Sequence, residues 1–225
     1  VADQTVSVTT TDDDVAGFTI AETSGSTGVD ESGSTDIFTV VLNAEPSSNV
    51  VLDITSSDTG EATVTSSLTF TAANWDTAQT VTVTGVDDDI VDGSVTSTIT
   101  VAINDGSSDD NFDAVADQTV SVTTTDDDVA GFTIAETSGS TGVDESGSTD
   151  IFTIVLDTQP SSDVVLSITS SDTGEATVES LIQFTSANWD TAQNVTVTGA
   201  DDGIIDGTQT STITVTVVDA ITDAV

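Results

Sequence analysis

Apolar residues recur at every second position in a series of short segments: Phe18 and Ile20; Phe38, Val40 and Leu42; Val50, Leu52 and Ile54; Val81 and Val83; Ile99, Val101 and Ile103; Val120 and Val122. A period of two puts the apolar members of each segment on one face, as in a strand with one buried side. β-Branched Thr fills many of the alternate positions, where it suits the exposed face of a strand. Clusters of Gly, Ser, Asn and Asp separate the segments, and a helical period is missing apart from a single turn at "TAANWD". Six or seven such strands in roughly 100 residues predict an all-β fold of antiparallel, immunoglobulin-like β-sandwiches.

The pattern repeats. Val1–Thr39 recurs without change as Val115–Thr153, a shift of 114 positions. Further on, "SSDTGEATV" is kept intact, and "FTAANWDTAQTVTVTGVDDDIVDG" becomes "FTSANWDTAQNVTVTGADDGIIDG". Such a period is too long for a solenoid unit and fits a whole domain, so the chain reads as a tandem array. The phase of the repeat predicts residues 1–14 as a closing strand that belongs to a preceding or neighbouring domain. Residues 15–128 form the first sandwich, and residues 129–225 a second one without its last strand, "QTVSVTT". Two arrangements would complete that second sandwich. Either the array continues in a longer chain, or the N-terminal strand of one subunit adds to the last domain of the next and builds a head-to-tail fibre.

Charge narrows the partners. The 225 residues include 40 acidic side chains and no Lys, Arg or His, for a formal net charge of −40. Nucleic acid and anionic membrane surfaces are excluded as expected partners, because binding them depends on basic side chains that neutralise phosphates. Cations are the partners left. High acidity with few aromatics would suit a disordered tail, but the 36% of hydrophobic residues fall in alternating patterns that call for a core. No apolar run approaches the ~18 residues of a membrane span, so membrane insertion is not expected. With no cysteine, closure must come from packing or from metal. Catalysis is not expected either. Without His, Cys, Lys, Arg or Tyr no triad, thiolate, Schiff base or phosphate clamp can be built, and the acids lie in polar Gly/Ser loops unsuited to a raised carboxyl pKa.

The acids cluster where strands end. Glu31 precedes "TDIFTVVL", Glu61 follows "VVLDIT", Asp87, Asp88, Asp89 and Asp92 follow "QTVTVTG", and Asp126, Asp127 and Asp128 follow "QTVSVTT". Counting strands end to end places these groups at one pole, where the chain passes into the next domain. Two unit charges about 4 Å apart repel by about 4 kcal/mol at an effective dielectric of about 20, so the cluster must either take up protons or bind cations. Ca2+ suits it, as a hard ion taking six to eight oxygen ligands in flexible geometry. Zinc and copper are disfavoured by the lack of His and Cys, and magnesium by its demand for a smaller, more regular shell.

The order strand, "DDDIVDG", strand, strand, "DDDVAGF" resembles the Calx-beta domain, a module of sodium–calcium exchangers and of very large bacterial surface proteins. The resemblance covers nearly the whole repeat and is most specific at the junction "TTTDDDVAGFTI". It implies an immunoglobulin-like sandwich with calcium at the inter-domain end. By this similarity Glu31 would be the early ligand, Asp87, Asp88 and Asp89 the acidic loop, Asp92 its follow-on acid, and Asp126, Asp127 and Asp128 the closing cluster. Asp12, Asp13 and Asp14 are an earlier copy of that cluster. The acid expected near "SSDTGEA" is either Glu61 or Asp58, and Glu175 repeats Glu61. In the second domain Glu145, Asp201, Asp202 and Asp206 take the corresponding places, with Gly203 where the third aspartate would be.

The function expected from these features is that of a non-enzymatic structural repeat in an extracellular or cell-surface protein. Calcium and neighbouring copies of the repeat, in the same chain or in head-to-tail subunits, are its expected partners. Calcium would stiffen the array into a rod or fibre. Two alternatives are an adhesin-like module that binds carbohydrate or protein, and a calcium-sensing regulatory domain. Trp75 and Trp189 could be sugar platforms, but each reads better as a plug at the edge of the core.

Overall fold

The alternating segments are strands, and their faces separate as the pattern requires. In β7 (Gln79–Gly85) Val81 and Val83 are fully buried while the residues between them reach solvent. The computed structural model describes residues 2–218. They fall into two compact units, one drawn from residues 2–88 and Gly93–Asp126, the other from Asp89–Asp92 and residues 127–218.

In the first unit β7 joins β1 (Phe18–Glu22), β3 (Thr35–Leu42) and β5 (Ala62–Val64) in a sheet of order β1-β3-β7-β5, antiparallel throughout. The second sheet has the order β2-β9-β8-β4-β6, from β2 (Thr27–Asp30), β4 (Val50–Ser56), β6 (Ser67–Phe70), β8 (Val95–Ile103) and β9 (Gln118–Thr125). One core lies between them, with Phe38, Val40 and Val81 from the first sheet against Leu52, Phe70 and Ile99 from the second, all fully buried. Each such side chain contributes roughly 1.5–3 kcal/mol by leaving water. The fold is therefore an all-β sandwich.

Three strands were not legible as alternating segments: β2, β5 and β6 are only three or four residues long. The pairing also departs from a purely antiparallel sandwich, because β2 runs parallel to β9 over Thr27↔Val122 to Asp30↔Thr125. The close approach of β2 to β7 requires Gly85, where a Cβ atom would lie 1.9 Å from the Asp30 carbonyl oxygen.

The expected helical turn at "TAANWD" is a hydrogen-bonded turn. The Asn74 Oδ1 accepts from the Thr71 N–H (2.6 Å) and hydroxyl (3.0 Å), which leaves Trp75 packed against the core. At the end of the unit away from the acidic loops, Asp109 is only 3% exposed. Its carboxylate accepts from the Ser47 N–H (2.6 Å) and hydroxyl (2.7 Å), the Ser48 N–H (3.0 Å), and the Asn111 N–H (3.0 Å) and Nδ2 (2.9 Å). These bonds, the Ser47 hydroxyl first among them, hold its carboxyl well below the ordinary range.

The second unit repeats the plan with β10 (Phe132–Glu136), β11 (Thr149–Leu156), β12 (Val164–Ser170), β13 (Ala176–Val178), β14 (Leu181–Phe184), β15 (Gln193–Gly199) and β16 (Ile213–Val217). Its sheets have the orders β10-β11-β15-β13 and β14-β12-β16. Trp189 packs against its core as Trp75 does in the first unit. Residues 141–144 repeat the sequence of β2 but form no strand, and among the described residues β16 is an edge.

Candidate metal centre

At the acidic end of the first unit several loops are tied to one another through their backbones. The Glu31 N–H donates to the Thr125 carbonyl at the end of β9 (3.1 Å), and the Val86 N–H, just past β7, donates to the Glu61 carbonyl (2.9 Å). That carbonyl also accepts from the Thr124 hydroxyl at 3.3 Å. Before β8, the Gly93 N–H donates to Asp126 Oδ2 at 2.8 Å. The starts or ends of β2, β5, β7, β8 and β9 thus meet at one pole.

Within this pole Glu31 is 1% exposed, and one of its carboxylate oxygens lies within 4.8 Å of an Asp126 carboxylate oxygen. Glu61 is also buried. The two acids considered near "SSDTGEA" differ in burial, Glu61 being the covered one. Asp58 is exposed, and its Oδ1 caps a turn by accepting from the Gly60 N–H (2.9 Å).

The other acids singled out in the sequence differ in exposure. Asp88 and Asp128 are half-buried, while Asp87, Asp89, Asp92 and Asp127 are exposed. Asp128 sits two residues past Asp126 on the connecting segment. Asp12, Asp13 and Asp14 lie exposed in a segment without secondary structure, where the Asp14 N–H donates to Asp12 Oδ1 (3.1 Å).

The second unit groups a different set. Glu175, Asp202 and Asp206 each offer a carboxylate oxygen, all within 4.8 Å of one another. Glu175 leads into β13, and its carbonyl accepts from the Ala200 N–H past β15 (2.9 Å), as Glu61 does from Val86. Partial burial pushes the Glu175 carboxyl above its ordinary value, and the neighbouring charges of Asp206, Asp202, Glu145 and Asp172 add to the rise. The loop that carries the aspartates is bent by its own side chains. Asp201 Oδ1 accepts from Gly203 N–H (3.1 Å) and Asp202 Oδ1 from Ile204 N–H (2.7 Å). Gly203, which replaces a third aspartate, sits at φ 72°, a left-handed conformation that favours glycine. Glu145 is exposed and stands outside the group, although its counterpart Glu31 is buried.

Both groups have the same chemistry: carboxylates with backbone carbonyls close by, and no nitrogen or sulfur ligand. Such a set fits a hard divalent ion with flexible coordination. Polar residues beneath the pole were not singled out in the sequence. Thr27, Ser97 and Thr124 are buried on the inward face of their strands. The signal was a hydroxyl residue in the apolar phase of the alternation, as in Val120, Val122, Thr124.

No protein-family model matches the chain, and no curated protein matches it. Among solved structures, the chain is similar to the CBD12 fragment of CALX1.2 (14% identity over 80% of this chain and 75% of that one, TM-score 0.35). It is similar to the apo-form Calx CBD1 domain (18% identity, 49% of this chain and 98% of that one, TM-score 0.36). A third likeness is to domains 5-6 of the S-layer protein SbsC (20% identity, 94% of this chain and 95% of that one, TM-score 0.33).

Proposed function

We propose that the chain is a non-enzymatic structural repeat of an extracellular or cell-surface protein. In this reading its acidic poles bind calcium, and the bound ion stiffens a tandem array of sandwiches into a rod or a head-to-tail fibre. The observation that carries the proposal is the gathering of carboxylates from separate loops, Glu175 with Asp202 and Asp206, in a chain with no basic side chain. In the first unit a different set of donors, Glu31 and Asp126, comes together.

Calcium supplies the positive charge that the sequence lacks. When bound it would hold together loops that their own charges drive apart, so its effect is mechanical. Near-identical repeats suit that role, because equivalent units carry equivalent load.

Titration calorimetry together with small-angle scattering tests the proposal. Calcium should bind, and the scattering profile in calcium should be that of a longer, stiffer particle than in EGTA. Absence of calcium binding overturns the metal reading, and unchanged particle dimensions overturn the mechanical one.

A further inference from the structure

The chain contains one sequence in two structural states. Gln4–Asp14 is identical to Gln118–Asp128. The second copy supplies β9, which lies between β8 and β2 and buries Val120, Val122 and Thr124. The first copy has no secondary structure and leaves Val6 89% and Val8 82% exposed.

The second unit has the converse feature. It holds a cavity of about 970 Å3, and what lines it identifies what would fill it. One side is the stretch Thr141–Asp144, the repeat of β2. The other side runs over Gln209–Ile213 and Val215, the repeat of the β8 residues that pair with β9. The cavity is thus bounded by the counterparts of the two neighbours of β9.

The residues around it are exposed relative to their copies. Val29 is 5% exposed whereas Val143 is only half-buried, and Ile20 is half-buried where Ile134 is 47% exposed. Ile99 is fully buried, but Ile213 is half-buried.

We infer that this groove takes residues Gln4–Thr11 of a second copy of the chain, added as a strand parallel to 141–144 and antiparallel to 209–215. The inference rests on the fibre reading above and gives it its joint. The register follows from that of β9: Val6 opposite Ile213, Val8 opposite Ser211 and Thr141, and Thr10 opposite Gln209 and Val143. Main-chain hydrogen bonds to an open sheet edge supply the attraction, and the alternate valines supply the fit.

Three features favour a second copy as the occupant. The donor segment has the sequence of the strand that fills the equivalent groove. It carries no charge over QTVSVTTT, so it can dock on an acidic protein without added repulsion. Residues 12–17, DDDVAG, join it to β1 as the identical residues 126–131 join β9 to β10, so docking in trans rebuilds the junction already present within the chain.

The test uses the full chain and its V6D/V8D variant, which keeps the groove but has an unusable donor, both in EGTA so that the result does not depend on calcium. Sedimentation should show wild-type oligomers that grow with concentration and a V6D/V8D chain that stays monomeric. A synthetic peptide of residues 2–14 should bind the V6D/V8D chain, shift the amide resonances of 141–144 and 209–215, and cap wild-type oligomers. The same peptide with both valines changed to aspartate should bind at least about tenfold more weakly. Equal sedimentation of the two chains with no peptide binding overturns the inference. A wild-type monomer whose 141–144 amides are protected, with protection lost in V6D/V8D, also overturns it, since the chain would then close on itself. Calcium binding without oligomers would defeat this joint and leave the metal reading standing.

Discussion

Replacing Asp126 with asparagine should make the first unit more stable without calcium and less responsive to it. Asp126 and the buried Glu31 bring carboxylate oxygens within 4.8 Å of each other. With both ionised, two unit charges at about 4.8 Å repel by about 3.5 kcal/mol at an effective dielectric of about 20. Asparagine removes this repulsion and keeps an oxygen to accept the Gly93 N–H, so the loop before β8 stays tied. For a domain of this size a gain near 3 kcal/mol corresponds to a rise in melting temperature on the order of 10 °C in EGTA. Calcium at about 100 times its Kd stabilises a one-site protein by about 2.7 kcal/mol, and most of that increment should vanish in D126N. Calorimetry in EGTA and in calcium measures both effects. In a W189F background Trp75 is the sole indole, so a thermal melt followed by tryptophan fluorescence reports the first unit alone. Equal calcium shifts in the two proteins, or a D126N chain that melts below wild type in EGTA, would refute the pairing of Glu31 with Asp126.

Two further substitutions probe the frame. G85A would place a methyl group 1.9 Å from the Asp30 carbonyl oxygen, so it should destabilise the first unit by at least about 2 kcal/mol in urea unfolding. G106A, whose nearest neighbour would be 3.8 Å away, should be close to neutral. D109N should lower the urea midpoint at neutral pH by placing an amide against the Ser47 and Ser48 donors. Because the folded-state carboxyl titrates below its ordinary value near 3.8, the wild-type advantage should be full above that pH. It should shrink as the pH falls towards the folded-state value, and an advantage unchanged down to pH 2 would contradict the assignment.

Much of the frame was legible in the chain. Val81 and Val83, or Ile99 and Val101, alternate strictly because one face of each strand meets the core, and a period of two records that directly. The shorter strands were not legible. Thr27–Asp30 is too brief to show a period, and it is a strand only because β9 lies beside it. Strand ends located the acidic pole, and Glu31, Asp126, Glu175, Asp202 and Asp206 were among the acids marked. Counting strands says which end of the sandwich a loop occupies, but not where its side chains point. The grouped oxygens could therefore not be told in advance from exposed neighbours such as Asp87 or Asp201. Asp109 was not marked, because five donors converge on it only once the loops at 47–48 and 109–111 are folded together.

The sharpest division comes from the repeat itself. By itself the sequence determined a tandem all-β array with acidic strand ends, since alternation, turn residues and charge are local properties. It could not determine the state of a given copy. Residues 15–39 and 129–153 are identical, yet Glu31 is buried where Glu145 is exposed, and Thr27–Asp30 is a strand where Thr141–Asp144 is not. The difference is made by a strand about a hundred positions away: β9 supplies partners for the backbone of β2 and covers the apolar residues around it. A strand's hydrogen bonds and burial belong to its neighbours as much as to its own residues, and only the tertiary structure says which strands are neighbours.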